Sequence, residues 1–378
     1  MEKVKDQSIE TIRGIAILLV VAGYITRADI LPLDLTHPSL TVSILKYFEY
    51  IFATIRMPLF TVISAYLYAS SPAILETFKK LVFGKFRRVM IPFLTFSTIQ
   101  FLLFLFVPGS GYHLSQMWKI YIWPNQQLWF LMSVFNIFIL VGLLDSFKML
   151  ETPRRYFTVC LIAAILHISL RFPGAFSAYG VNYLFPFFLL GYGIKRYPDI
   201  FLSKRTLPAL AVIFIISVSV QPLYYAITHI SGDPPFHFRR VIDLLVPFSG
   251  FPLLFYYRKP FPALAFFGYY AFGIHLFHRV SVTAVRLLFQ AFNIQDPFQI
   301  FFGYLIGGIA VALFFQVICE QFNLTSKLVL GLKKKPDKPL LALSFFTPRI
   351  AGEKTAQAAA PLDMEKPVLV LDSGNRLL

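Results

Sequence analysis

The chain has 378 residues, 57% of them hydrophobic and 14% charged, with a mean hydropathy of +0.67. That composition excludes an ordinary soluble globular domain and fits a polytopic membrane protein. Lys and Arg outnumber Asp and Glu by 35 to 19, a net charge of +16. No basic segment is attached to a soluble module, which argues against nucleic acid as a partner and for the anionic headgroups of a lipid bilayer. The two cysteines, Cys160 and Cys319, lie in different apolar runs, so neither a disulfide framework nor a metal site is expected.

In chain order, apolar runs of membrane-spanning length are expected near 12–30, 47–69, 89–107, 128–147, 156–171, 179–194, 207–229, 241–257, 262–289 and 299–322. The expected fold is therefore all-α, a bundle of about ten transmembrane helices. The first run lacks a cleavage site of small residues and is read as a retained helix. If the N-terminus is cytoplasmic, the inner loops hold Lys79, Lys80, Lys85, Arg87 and Arg88, then Lys148, Arg154 and Arg155, then Lys195, Arg196, Lys204 and Arg205, then Arg258 and Lys259. The outer loops hold fewer: Arg27, Lys46, Lys119, Arg171, Arg239 and Arg240. Because Lys and Arg are retained inside, both termini are expected in the cytoplasm. Residues 1–330 are read as one membrane domain and 331–378, rich in Pro, Ala and charge, as a flexible cytoplasmic tail. No internal repeat of the kind that marks many transporters is evident.

Ionisable groups inside spans are costly, so each is a candidate for function. In "RGIAILLVVAGYITR", Arg13 and Tyr24 are eleven residues apart, which puts them on one helix face about 16 Å apart along the axis. One ligand entering from the cytoplasm could touch both; snorkelling of Arg13 and packing of Tyr24 are the structural alternatives. Arg56 lies midway along the second span, just before Met57-Pro58, where proline frees a carbonyl and a mid-membrane cation needs partners. In "KKLVFGKFRRVMIP", Lys85 and Arg88 share a face if the stretch is helical, with Arg87 beside them, and could grip phosphates. "GYYAFGIHLFHRV" supplies His275 and His278 at i, i+3, suited to proton transfer near neutral pH or to hydrogen bonding within the bundle. Trp118, Trp123 and Trp129 lie in an outer loop, where they could stack on sugar faces or form an interfacial aromatic belt.

The motifs "RGIAILLVVAGY", "RMPLFTVISAYLY", "KFRRVMIP", "LWFLMSVF" and "YYAFGIHLFH" occur in the order and spacing of the acyltransferase-3 family of integral membrane O-acyltransferases. The chain resembles in particular the branch of fucose O-acetylases and exopolysaccharide O-acetyltransferases, over roughly residues 8–325. The resemblance implies transfer of acetyl groups from cytoplasmic acetyl-CoA to a sugar hydroxyl of a surface polysaccharide, an exopolysaccharide or its lipid-linked precursor. It also implies a bacterial inner membrane, a glycan acceptor and proximity to polysaccharide synthesis machinery.

By the same resemblance, Arg13, Arg56, Lys85, Arg87 and Arg88 engage the donor. His275, His278, Tyr24 and Arg13 are the catalytic candidates, and Trp118, Trp123 and Trp129 those for substrate. Three positions depart from the family pattern. Lys85 begins a Lys-x-x-Arg where relatives often carry Arg-x-x-Arg, which keeps the charge but not the bidentate geometry. Tyr24 stands where relatives carry a catalytic histidine, and His275 where they usually carry tyrosine. Both lie roughly 18–20 Å from the cytoplasmic starts of their helices, so His275 is expected to face Tyr24 across a common cavity and supply the missing base. The alternative is a degenerate member that carries or flips a glycan, or that serves a polysaccharide synthase without catalysis.

Overall fold

The computed structural model of the chain describes residues 6–26, 40–107, 110–124, 126–231 and 236–332, which belong to one unit, Met1–Lys335. They form ten long helices and no strand: α1 (Gln7–Ile25), α2 (Leu40–Tyr68), α3 (Leu75–Leu105), α4 (Trp129–Ser146), α5 (Pro153–Ser169), α6 (Ala178–Arg196), α7 (Thr206–Ser231), α8 (Phe236–Tyr256), α9 (Pro262–Ala291) and α10 (Pro297–Gln321). Each expected span coincides with one of them. The fold is that of an all-α polytopic membrane protein. Five helices, α1, α2, α3, α4 and α10, are long and apolar enough to cross a membrane by length and composition. Arg27 and the expected tail from residue 333 onward lie outside the described residues.

Several helices start where local chemistry dictates. Asp6 caps α1 by accepting from the Ser8 amide at 2.9 Å, and Asp296 caps α10 by accepting from Gln299 at 2.8 Å. Pro153, Pro262 and Pro297 open α5, α9 and α10, where a missing N–H costs nothing. Inside the bundle, α2 runs unbroken through Pro58.

The basic stretch before the third span is not a loop. α3 begins at Leu75 and carries Lys79 to Arg88 on its first turns, and Phe86–Met90 form a π-helical turn in which the Ile91 amide donates to the Phe86 carbonyl. Pro92 explains the wider turn: it has no N–H for the carbonyl of Arg88, and its ring would collide with that carbonyl in α register.

Outward faces are apolar, with Leu102, Leu103, Leu161, Ile165, Ile215, Ile216, Ile306 and Phe314 exposed, as a bilayer requires. One core joins Ile12, Leu59, Val62, Phe138, Leu190 and Phe255 from α1, α2, α4, α6 and α8. A second joins Phe93 and Phe96 of α3, Leu131 of α4, Leu276 of α9 and Ala312 of α10 to Val329 and Leu330, just past the short helix Asn323–Leu328. The starts of α1 and α9 and the end of α8 meet at one end of the bundle, where Arg258 donates to Ser8 at 3.1 Å and Thr11 contacts Phe261. We call this the basic end.

Candidate active site

Two glycines bring α1 and α9 into backbone contact. A methyl group at Gly14 would strike the Leu264 carbonyl, and one at Gly268 the Glu10 carbonyl, so both positions need the smallest side chain. This contact fixes the height of each α1 residue against α9. Near the basic end, Arg13 Nη1 donates to both oxygens of Glu10, at 2.7 and 2.8 Å. Glu10 is nearly buried while Arg13 keeps 23% of its side chain exposed. Three turns higher, the edge of one ring meets the face of another: Tyr24 and His278 lie 5.3 Å apart between centroids, with planes at 87°.

His278, and not His275, is the imidazole against Tyr24. Residues three apart on a helix point about 60° apart around the axis. If His278 faces α1, His275 therefore turns toward α4, where it packs edge-on against Phe130 at 5.4 Å. His278 is held by its own helix: Nδ1 lies 2.7 Å from the His275 carbonyl and 3.2 Å from that of Ile274. A carbonyl only accepts, so Nδ1 carries the proton and Nε2 holds the lone pair of the neutral ring. The ring nitrogens of His275 have no hydrogen-bond partner among the described residues.

Arg56 reaches the same level from α2. A methyl group at Gly23 would collide with its guanidinium, so the Arg56 head lies against α1 at the residue before Tyr24. Below, the basic cluster spreads around the π turn. Lys85 turns inward, its ammonium 3.4 Å from the centre of the Phe138 ring; Arg87 and Arg88 are exposed, and Arg88 lies close enough to Arg13 for their charges to interact. Lys85 is also close enough to Arg88 for their charges to interact, with the start of the π turn between them. Gly331, at φ +63°, lies against the backbone of Arg87 and Arg88, which braces that turn from behind. Also at the basic end, a cleft of about 480 Å³ opens among Asp6, Gln7, Ser8, Tyr256, Arg258 and Pro260.

A family model described as an acyltransferase domain, Acyl_transf_3, matches residues 6–317. The chain belongs to the acyltransferase-3 family. No curated protein and no solved structure matches it. The acyltransferase-3 domain thus takes in α1 to α9 and nearly all of α10, with Arg13, Tyr24, Arg56, Lys85, Arg87, Arg88, His275 and His278.

The tryptophans do not form one platform in this acyltransferase-3 chain. Trp118 and Trp123 pair edge-on at 5.9 Å and are 53% and 46% exposed, whereas Trp129 packs among Phe130, Tyr183 and Gly180. Opening α4, Trp129 is oriented by helix packing and points into the bundle.

Sequence reading missed several polar groups. Arg279 is buried beside His278, its guanidinium 4.5 Å from the Phe104 ring centre. The signal was a charge deep in an apolar run, directly after a histidine already singled out. Gln127 Nε2 donates to Gln100 Oε1 at 2.8 Å. On α10, Gln316 donates to the buried Glu320 at 2.9 Å. Asp145 accepts from Tyr68 at 2.6 Å and Tyr192 at 2.8 Å, tying α2, α4 and α6 together. No group of His, Cys, Asp and Glu among the described residues could hold a metal ion.

Proposed function

We propose that this membrane acyltransferase moves an acetyl group from acetyl-CoA to a sugar hydroxyl of a surface polysaccharide, an exopolysaccharide or its lipid-linked precursor. The observation that carries the reading is the line along α1 from Arg13, beside Arg88, to Tyr24, against His278. It offers cations at one end and an imidazole with a free lone pair about 16 Å away along the helix. An extended pantetheine arm suits that separation: phosphates stay at Arg87 and Arg88, and the thioester reaches the imidazole. The basic end would face the cytoplasm of a bacterial inner membrane, where the donor is found and where the basic residues of the loops are retained.

In the proposed reaction, Nε2 of His278 accepts the proton of the acceptor hydroxyl as its oxygen attacks the thioester carbonyl carbon. A C–O bond forms and the carbonyl oxygen becomes anionic. Collapse of that intermediate breaks the C–S bond, and the proton passes from His278 to the departing thiolate, giving the ester and free CoA. Tyr24 or Arg56 would stabilise the transient oxyanion by donating to it. His278 fits the base better than His275, because a hydrogen bond fixes its tautomer and because it lies against the position where the resemblance expects the family's histidine.

Tyr24 itself supports the second reading, a degenerate member that carries a glycan or serves a synthase. Purified protein in nanodiscs, given labelled acetyl-CoA and acceptor glycans, separates the two. Acetyl ester formation that is lost in His278→Gln is the expected result. Wild type inactive and Tyr24→His active would establish the degenerate reading instead.

A further inference from the structure

Five buried side-chain atoms without a hydrogen-bond partner among the described residues gather in one place: Ser97 Oγ on α3, Gln127 Oε1 just before α4, and His275 Nδ1, His275 Nε2 and Arg279 Nη1 on α9. Their connection is explicit. Gln127 Nε2 donates to Gln100 and lies 3.5 Å from the Leu276 carbonyl. His275 and Arg279 are one turn apart on the same face of α9. Phe104, under the Arg279 guanidinium, also packs against Tyr112, and Tyr112 with Ser97 and Gln100 lines a cavity that has room for about one water molecule. Buried polar atoms in proteins are nearly always satisfied, so such a concentration marks a place built for something polar.

Arg279 sets the sign of that something. It is 7% exposed, and among the described residues it makes no ion pair. A cation buried in a membrane bundle needs an anion or a polar cavity. Arg279 lies seventeen residues into α9, about 25 Å from the basic end, well past the Arg13–Arg88 level where the donor phosphates are proposed to stay. The anion therefore belongs to the other substrate.

Resting on the acyl-transfer reading, we propose that this polar cluster between α3, α4 and α9, closed here to about one water molecule, is the acceptor subsite, that it opens to admit the acceptor, and that it selects one bearing an anionic group. Arg279 binds the carboxylate or phosphate oxygens in bidentate fashion. Gln127, Ser97 and His275 meet neighbouring hydroxyls, which presents one hydroxyl to His278, a residue before Arg279 on the same helix. A uronate carboxylate and the pyrophosphate of a lipid-linked sugar are the two sources of such oxygens.

The test uses the full chain in nanodiscs with labelled acetyl-CoA and two matched acceptor pairs. One pair is a hexuronate oligosaccharide and the same oligosaccharide with its carboxyl groups reduced. The other is a neutral sugar on polyprenyl pyrophosphate and the same sugar free. In wild type, the charged member of one pair should show a KM at least about tenfold lower than its neutral counterpart, and the pair that responds identifies the source. Arg279→Gln should collapse that ratio toward one without moving the KM for acetyl-CoA, and Arg279→Lys should restore part of it. Equal KM values within both pairs in wild type overturn the proposal, however the variants fold. Unconsumed acetyl-CoA and no ester on any acceptor overturn the acyl-transfer reading itself, and this inference with it.

Discussion

The ring of Tyr24 meets that of His278 edge-on at 5.3 Å, so the one departure from the family's expected first-helix pattern is in contact with the imidazole best placed to act as base. The two histidines of α9 then divide the work. His278→Gln should lower the rate of ester formation by about 10²- to 10⁴-fold, the usual worth of a general base. His275→Gln should chiefly raise the acceptor KM. Initial rates over a range of acceptor concentrations distinguish them; a His278→Gln enzyme with wild-type kcat would falsify the assignment.

Arg56 rests on Gly23, and the contact leaves no room for a methyl group. Gly23→Ala should therefore cut activity by displacing the guanidinium, even though alanine favours a helix by about 1 kcal/mol. In an Arg56→Ala background the same change should cost nothing further. A double-mutant cycle on activity measures this, and additive effects would mean that the two positions act independently.

Glu10 and Arg13 form a pair of which the carboxylate is almost fully enclosed. Removing only the cation, as in Arg13→Gln, leaves a buried charge and should lower unfolding stability by up to about 3 kcal/mol. Adding Glu10→Gln should recover part of the loss. Thermal unfolding in detergent reads both, and a double variant no more stable than the single one counts against the pair.

Asp6, just ahead of α1, gives a pH prediction. Burial pushes its carboxyl up, but hydrogen bonds from Ser8 and the charge of Arg258 outweigh this and hold it below the ordinary value of 3.8. A carboxyl depressed in the folded state stabilises above its unfolded pKa, and that contribution is lost as pH falls through the folded value. Unfolding temperature should thus drop below pH 4 in wild type, and less steeply in Asp6→Asn, which keeps the cap but cannot titrate. Identical slopes would remove Asp6 from the account.

How much of this was legible in the sequence depends on the kind of information. Runs of apolar residues report spans directly, so all ten helices were placed, and the ionisable residues within them marked the level of the site. Which histidine meets Tyr24 was not legible. Depth along two helices puts His275 and Tyr24 at one height, yet rotation about the axis, set by Gly14 and Gly268 bringing the backbones together, presents His278. Arg279 was legible in principle, as a charge inside a span. The joint between Gln100 and Gln127 was not, because it spans a loop and neutral amides leave no hydropathy signal.

The π turn at Phe86–Met90 joins two halves of α3 that serve different ends of the protein: Lys79, Lys80 and Lys85 below, Ser97 and Gln100 above. Such a turn holds one residue more than the α-helical register, and each residue is worth about 100° of rotation. It works as a phase adjuster. Deleting one residue there would leave both halves helical while swinging one around the axis relative to the other, so that cations and amides could no longer face their own partners together. One surplus residue thus sets the angular offset between the two halves of a single helix.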